Sequence, residues 1–208
     1  MTEVEWRTAT DPHQLIDLLG PDVSRRKLRH FVCACVRHQL PPATAARAAR
    51  VLAFAERLAD DEASIDAEAW AGVQRELDDL GGGGLGSKDR FGHMGLLQLT
   101  VDDDIYTEAH WAVECLKDAD VEAAVPLGLL REIFGNPFQP IDPTLWRTGT
   151  ALTLARQMYQ EQDFCTMCIL ADALQDAGCD DADVLDHCRG PRPHVRGCWV
   201  VDLVLGKR

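Results

Sequence analysis

The residue types best suited to chemistry gather near the C-terminus: Cys179, His187, Cys188, His194 and Cys198. Thiolate and imidazole are the ligands zinc prefers, and four of them close a tetrahedral site. The spacings are Cys-x8-Cys, Cys-x5-His and His-x3-Cys. On a helix the last of these would put both groups on one face. Cys179, Cys188, His194 and Cys198 are therefore the candidate zinc ligands. No Cys-x2-Cys knuckle accompanies them. The competing reading makes the thiols core residues and the histidines local pairing groups.

A Cys-x2-Cys does occur, at Cys165 and Cys168, inside an apolar helical pattern. Redox motifs of that form need the first cysteine at a helix N-terminus, where the dipole lowers its pKa. The βαβ context that accompanies them is missing. Cys33 and Cys35 are two apart and point to different faces of a helix, so they read as packing residues. Asp172 and Asp176 share a helix face and could be paired acids for hydrolysis, although such pairs are more often a solvated edge. Asp202, among Val200, Val201, Leu203 and Val204, needs a partner if it is buried, and an arginine such as Arg196 is the natural one.

Arginine forks suit carboxylate or phosphate recognition. One basic run holds Arg25, Arg26, Lys27 and Arg29, and a second holds Arg189, Arg192 and Arg196. These are the candidate anion- or partner-binding residues. The formal net charge is −13, distributed as +3 over residues 1–58, −20 over 59–188 and +4 over 189–208. The simplest account of that asymmetry is ion pairing of the basic ends with the acidic middle. A negative middle repels phosphates and argues against general nucleic-acid binding.

Several classes are excluded by what is missing. There is no Gly-x4-Gly-Lys-Ser/Thr loop, no His-Glu-x2-His, no Gly-x-Ser-x-Gly and no kinase signature set. No aromatic-plus-basic array marks an RNA-binding sheet. No stretch has the roughly 18 consecutive apolar residues that a membrane span requires. The N-terminus is acidic and does not read as a secretory signal, so the expected compartment is the cytoplasm. The eight cysteines are then expected to be free thiols. With 208 residues, 46% of them hydrophobic, the chain can bury a substantial core.

The elements that must position these groups read as helices. Thr10-Asp11-Pro12 starts one that Gly20-Pro21 stops. Ser24 caps a second, striped by Leu28, Phe31, Val32 and Cys35 and ended by Pro41-Pro42. Thr44 begins a third, to about Ala59, and Ser64 or Asp66 a fourth, to about Leu80. Gly81–Gly84, Gly86 and Ser87 form a linker, and residues 102–104 a solvated acidic loop. Thr107 caps the next helix, and another spans about 122–134. Gly135-Asn136-Pro137 breaks the pattern, which resumes over 144–159 and 164–177. Asp180 or Asp181 caps a short helix to His187. The segment His194–Leu205 reads as a buried helix, because no second strand is available to pair with it.

Several of these stretches carry a resemblance. They are Met-Thr-Glu-x-Glu-Trp at the start, Arg26-Lys27-Leu28-Arg29-x-Phe31-x-Cys33-Ala34-Cys35, and Leu130-Arg131-Glu132-Ile133-Phe134-Gly135-Asn136-Pro137-Phe138. The fullest is the tail, His187-Cys188-Arg189 followed by His194-Val195-Arg196-Gly197-Cys198-Trp199-Val200-Val201-Asp202-Leu203. Over roughly residues 1–60 and 125–208 the chain resembles a large paralogous family of small helical planctomycete proteins. The middle departs from it, with a glycine linker where relatives have an alanine-rich helix. Cys165 and Cys168 fall where relatives carry other residues. The resemblance implies a helical fold and a lineage, and supplies no activity.

The expectation is an all-α multi-helix bundle with an N-terminal helical hairpin. Its parts are an N-terminal helical region (1–80), a flexible acidic and glycine-rich segment (81–106) and a C-terminal helical region (107–208), co-packed as one domain. The expected function is a non-enzymatic regulatory or protein-interaction module with a protein partner and no cofactor. The alternatives are a small zinc-binding structural domain or a hydrolase or redox enzyme.

Overall fold

A computed structural model describes residues 2–81, 93–191 and 193–207. Among them are twelve α-helices, one 3-10 helix and no strand, so the all-α expectation holds. Chain contacts divide the protein into two compact units, residues 3–130 and 131–208. The boundary falls inside a helix and not in the glycine-rich segment, of which residues 82–92 lie outside the described residues.

The N-terminal unit holds α1 (Glu3–Thr8), α2 (Pro12–Leu19), α3 (Arg25–Gln39), α4 (Pro42–Asp60), α5 (Ala67–Gly81), α6 (His93–Val101) and α7 (Ile105–Asp118). Local chemistry sets most of their ends. Asp11 accepts from the His13 amide at the start of α2, and Pro12 occupies the first turn, where its missing N–H is no loss. The Ser24 side chain accepts from the Lys27 amide at the start of α3. At the centre lies α3, packed on α4, α6 and α7, while α2 lies on α7. Leu28, Phe31, Val32 and Val36 of α3 are fully buried, and each such side chain stabilises the fold by about 1.5–3 kcal/mol.

Several elements differ from the sequence reading, among them the helices expected over 144–159 and 164–177, which begin at Gly149 and Met167. The alanine-rich helix begins at Pro42, two residues before Thr44, because proline suits a first turn. A helix, α6, occupies residues 93–101 of the segment expected to be loose, and Leu96, Leu97 and Val101 bury its inner side. Next, α7 starts at Ile105 with Asp104 as its cap, accepting from the Thr107 amide, so Thr107 is not the cap.

The boundary helix is α8 (Ala124–Phe134), with Pro126 in its first turn. The C-terminal unit continues with α9 (Gly149–Glu161), α10 (Met167–Asp176), α11 (Ala182–Arg189) and α12 (Trp199–Leu205). The packed pairs are α9 with α10 and α12, and α11 with α10 and α12. Met158, Leu170, Leu174, Val184, Val200 and Val201 fill the core between them. Thr148 caps α9 and Asp181 caps α11. The expected long helix over 194–205 is shorter than its apolar pattern: it begins at Trp199, and residues 193–198 approach it as a loop with Gly197 at φ +90°. His194 and Cys198 therefore do not share a helix face.

Candidate functional site: a buried histidine, cysteine and glutamate cluster

The C-terminal unit brings four metal-ligating side chains together: Glu132, His187, His194 and Cys198. Each arrives from a different place. Glu132 lies in the last turn of α8, and His187 in the last turn of α11. His194 stands in the loop after α11, and Cys198 is the residue that caps α12. One ligand atom from each lies within 4.8 Å of all the others. His194 Nδ1 is 3.0 Å from Glu132 Oε1, and His187 Nε2 is 3.2 Å from Cys198 Sγ. Glu132 is only 2% exposed and Cys198 not at all.

The electrostatics follow from this burial. Burial by itself raises the pKa of a carboxyl, but His187 and His194 beside it outweigh that and hold Glu132 at about 2. The same burial, with the Glu132 charge beside it, pushes the Cys198 thiol well above its ordinary value. Two polar atoms are left over: Glu132 Oε2 and His194 Nε2 are buried with no hydrogen-bond partner. His187 Nε2 comes within 3.4 Å of Glu132 Oε2, without the direction of a hydrogen bond.

Trp199 fixes one proton. Its Nε1–H donates to His187 Nδ1 at 3.0 Å. Indole is a donor only, so His187 Nδ1 must carry the lone pair, and the neutral ring keeps its hydrogen on Nε2, facing Cys198 and Glu132. Gly135 holds Trp199 in place. With φ +63°, it presents no side chain, and a Cβ there would lie 2.8 Å from two indole carbons. The sharp break after Phe134 thus also creates the space in which the indole packs.

Of the expected zinc ligands, His194 and Cys198 are in this cluster, and Cys179 and Cys188 are not. Both of those are buried in the core, where burial pushes Cys188 up to about 12. The structure supplies His187 and Glu132 instead. His187 is of a ligand type that the sequence singles out. Glu132 stands beside Arg131 among Leu129, Leu130, Ile133 and Phe134, where it reads as an ordinary charged helix residue. A carboxylate among such apolar neighbours was the available signal, since a buried charge demands partners.

The other candidates fall differently. All eight cysteines are free. Cys165 and Cys168 are exposed, but Cys165 precedes α10, and a hydrogen bond to Asp163 raises its pKa, the opposite of redox activation. Asp172 and Asp176 are exposed, and Asp172 accepts from Arg189 at 2.9 Å. The arginines are largely used by the fold. Arg25 donates to the Asp103 carbonyl, Arg26 to Asp60, and Arg29, 4% exposed, to the Thr100 carbonyl. A guanidinium buried that deeply cannot meet a partner. Arg196 lies over the Tyr159 ring at 4.5 Å, and Arg192 lies outside the described residues. Asp202 is buried. Among the described residues no helix is long and apolar enough to cross a membrane. Compared with protein-family models, curated proteins and solved structures, the chain matches none.

Proposed function

We propose that residues 131–208 form a zinc-stabilised structural module within a non-enzymatic, cytoplasmic protein that acts through a protein partner. One observation carries this reading: imidazole, thiol and carboxylate groups from four separate points of the chain converge in a buried spot. Zinc accepts all three donor types, at about 2.0–2.3 Å. Tetrahedral geometry then needs ligand atoms about 3.3–3.8 Å apart, so the widest pair has to close by roughly 1 Å. The unpartnered Glu132 oxygen is a ready ligand. Burial favours a structural role, because a catalytic zinc keeps one position open to substrate.

The ligation has a defined consequence. Coordination through His187 Nε2 sends the ring proton to Nδ1, and Trp199 then loses its acceptor. Zinc binding also takes the proton from Cys198, so it tightens as pH rises.

The test is thermal unfolding with zinc or chelator, with the Trp199 indole N–H followed by NMR. Saturating zinc at about 100 times its Kd adds about 2.7 kcal/mol of stability. It should also move the Trp199 indole resonance. If zinc changes neither the melting temperature nor that resonance, the cluster is a metal-free polar network and the module reading fails.

A further inference from the structure

A second histidine cluster lies in the N-terminal unit, where α2 meets α7. His13 Nδ1 and His110 Nδ1 are 2.9 Å apart. The two rings are parallel within 4°, and their centroids are 5.2 Å apart. That separation exceeds the nitrogen contact by about two ring radii, so the imidazoles lie edge to edge in nearly one plane. A lone pair on one nitrogen faces the other nitrogen directly. At the outer ends, His13 Nε2 is 2.8 Å from Glu114 Oε1 and His110 Nε2 is 3.4 Å from Asp17 Oδ1. Asp17 also accepts from the Tyr106 hydroxyl, and Glu114 is paired with Lys117.

The inner contact limits the hydrogens the pair can hold. His13 Nε2 faces Glu114 at hydrogen-bond distance and carries a hydrogen, while His110 Nε2 stands from Asp17 at an ion-pair distance without a hydrogen bond. The inner contact has room for one hydrogen only. A hydrogen on both inner nitrogens would set two N–H groups head to head at hydrogen-bond distance, which the contact cannot hold.

We propose that His13 and His110 are a proton-operated latch: one hydrogen between their inner nitrogens docks α2 on α7, and protonation of both inner nitrogens releases it. Burial, opposed by Asp17 and joined by the His13 charge, lowers the pKa of His110, while Asp11 raises it. Those three side chains are the charged groups that bear on His110 among the described residues, although α3 and α6 also pack on α7. His13 borders a depression of about 310 Å³ lined also by Asp11 and Lys117, which gives protons access to the pair. The sign follows. A base whose folded pKa is lowered binds more protons unfolded, so the contact is intact above the ordinary histidine range and weakens as pH falls through it.

The test is hydrogen exchange of α2 amides in the full chain at pH 7.5 and pH 5, each corrected for intrinsic rate. Protection over residues 12–19 should fall about tenfold or more for each pKa unit separating released and docked His110, while α3 stays protected. In His110→Gln the α2 protection should be the same at both pH values. Unchanged α2 protection in the parent chain, or a pH response that survives in His110→Gln, overturns the latch. If that variant does not fold, ring nitrogen NMR of the parent chain decides. A hydrogen on only one of the two inner nitrogens at pH 7.5 and on both at pH 5 supports the latch, and an inner pair that stays the same at both pH values overturns it.

Discussion

The two histidine clusters are built from the same kinds of side chain and yet suit opposite chemistry. In the C-terminal unit, Glu132, His187, His194 and Cys198 converge on one buried spot. In the N-terminal unit, Glu114, His13, His110 and Asp17 are strung out in a line, half exposed, each atom facing the next. Convergence leaves room for a cation whose charge answers the carboxylate. A line leaves room only for protons, because its inner gap is a single hydrogen bond. Residue type alone does not separate a metal site from a proton relay; the arrangement of the lone pairs does.

The largest blow to this contrast is Glu132→Ala. It strands two buried histidines without their carboxylate, and removing one partner of a buried pair costs about 3–5 kcal/mol. Denaturant unfolding of the full chain should show that loss, whereas Glu114→Ala at the exposed row should cost less than about 1 kcal/mol. Second is Gly135→Ala. A left-handed backbone position and a 2.8 Å approach to the Trp199 ring combine there, and strain of this kind costs about 1–3 kcal/mol. The Trp199 indole N–H resonance should shift as its bond to His187 is broken. Third, His110→Gln should change stability by less than about 1 kcal/mol at pH 7.5, its interactions being half exposed. Its mark is in the slope: the parent chain loses stability as pH falls below the usual histidine range, and the variant should lose less. The smallest effect is Arg189→Ala. Its pair with Asp172 is solvent-facing, so thermal unfolding should move by no more than about 1 kcal/mol.

The helical fold was legible because capping and periodicity are local. Ser24, Asp11 and Asp181 each announce a start that the backbone then uses. Helix α6 was hidden because its apolar residues lie all round it and show no 3.6-residue rhythm, and because a glycine run precedes it. The tail helix was overread for a related reason. Val195 extends the apolar pattern, but Gly197, in a left-handed conformation, turns the chain before Cys198. The site was half legible. His187, His194 and Cys198 declare their chemistry by type. Glu132, 55 residues before His187, is joined to them only by tertiary packing, which spacing cannot reveal. Nor could spacing show that Cys179 and Cys188 would be taken into the core, or that His13 and His110, far apart in the chain, meet across α2 and α7.

The most direct test of the central claim is the metal content of the full chain, purified without a metal-affinity tag, beside His194→Ala and Cys198→Ser. The account predicts about one zinc per chain in the parent, with sulfur and nitrogen or oxygen neighbours at about 2.0–2.3 Å by X-ray absorption, and loss of that zinc in both variants. A parent chain that carries no zinc and takes none up when it is supplied contradicts the account and leaves the cluster as a buried polar network.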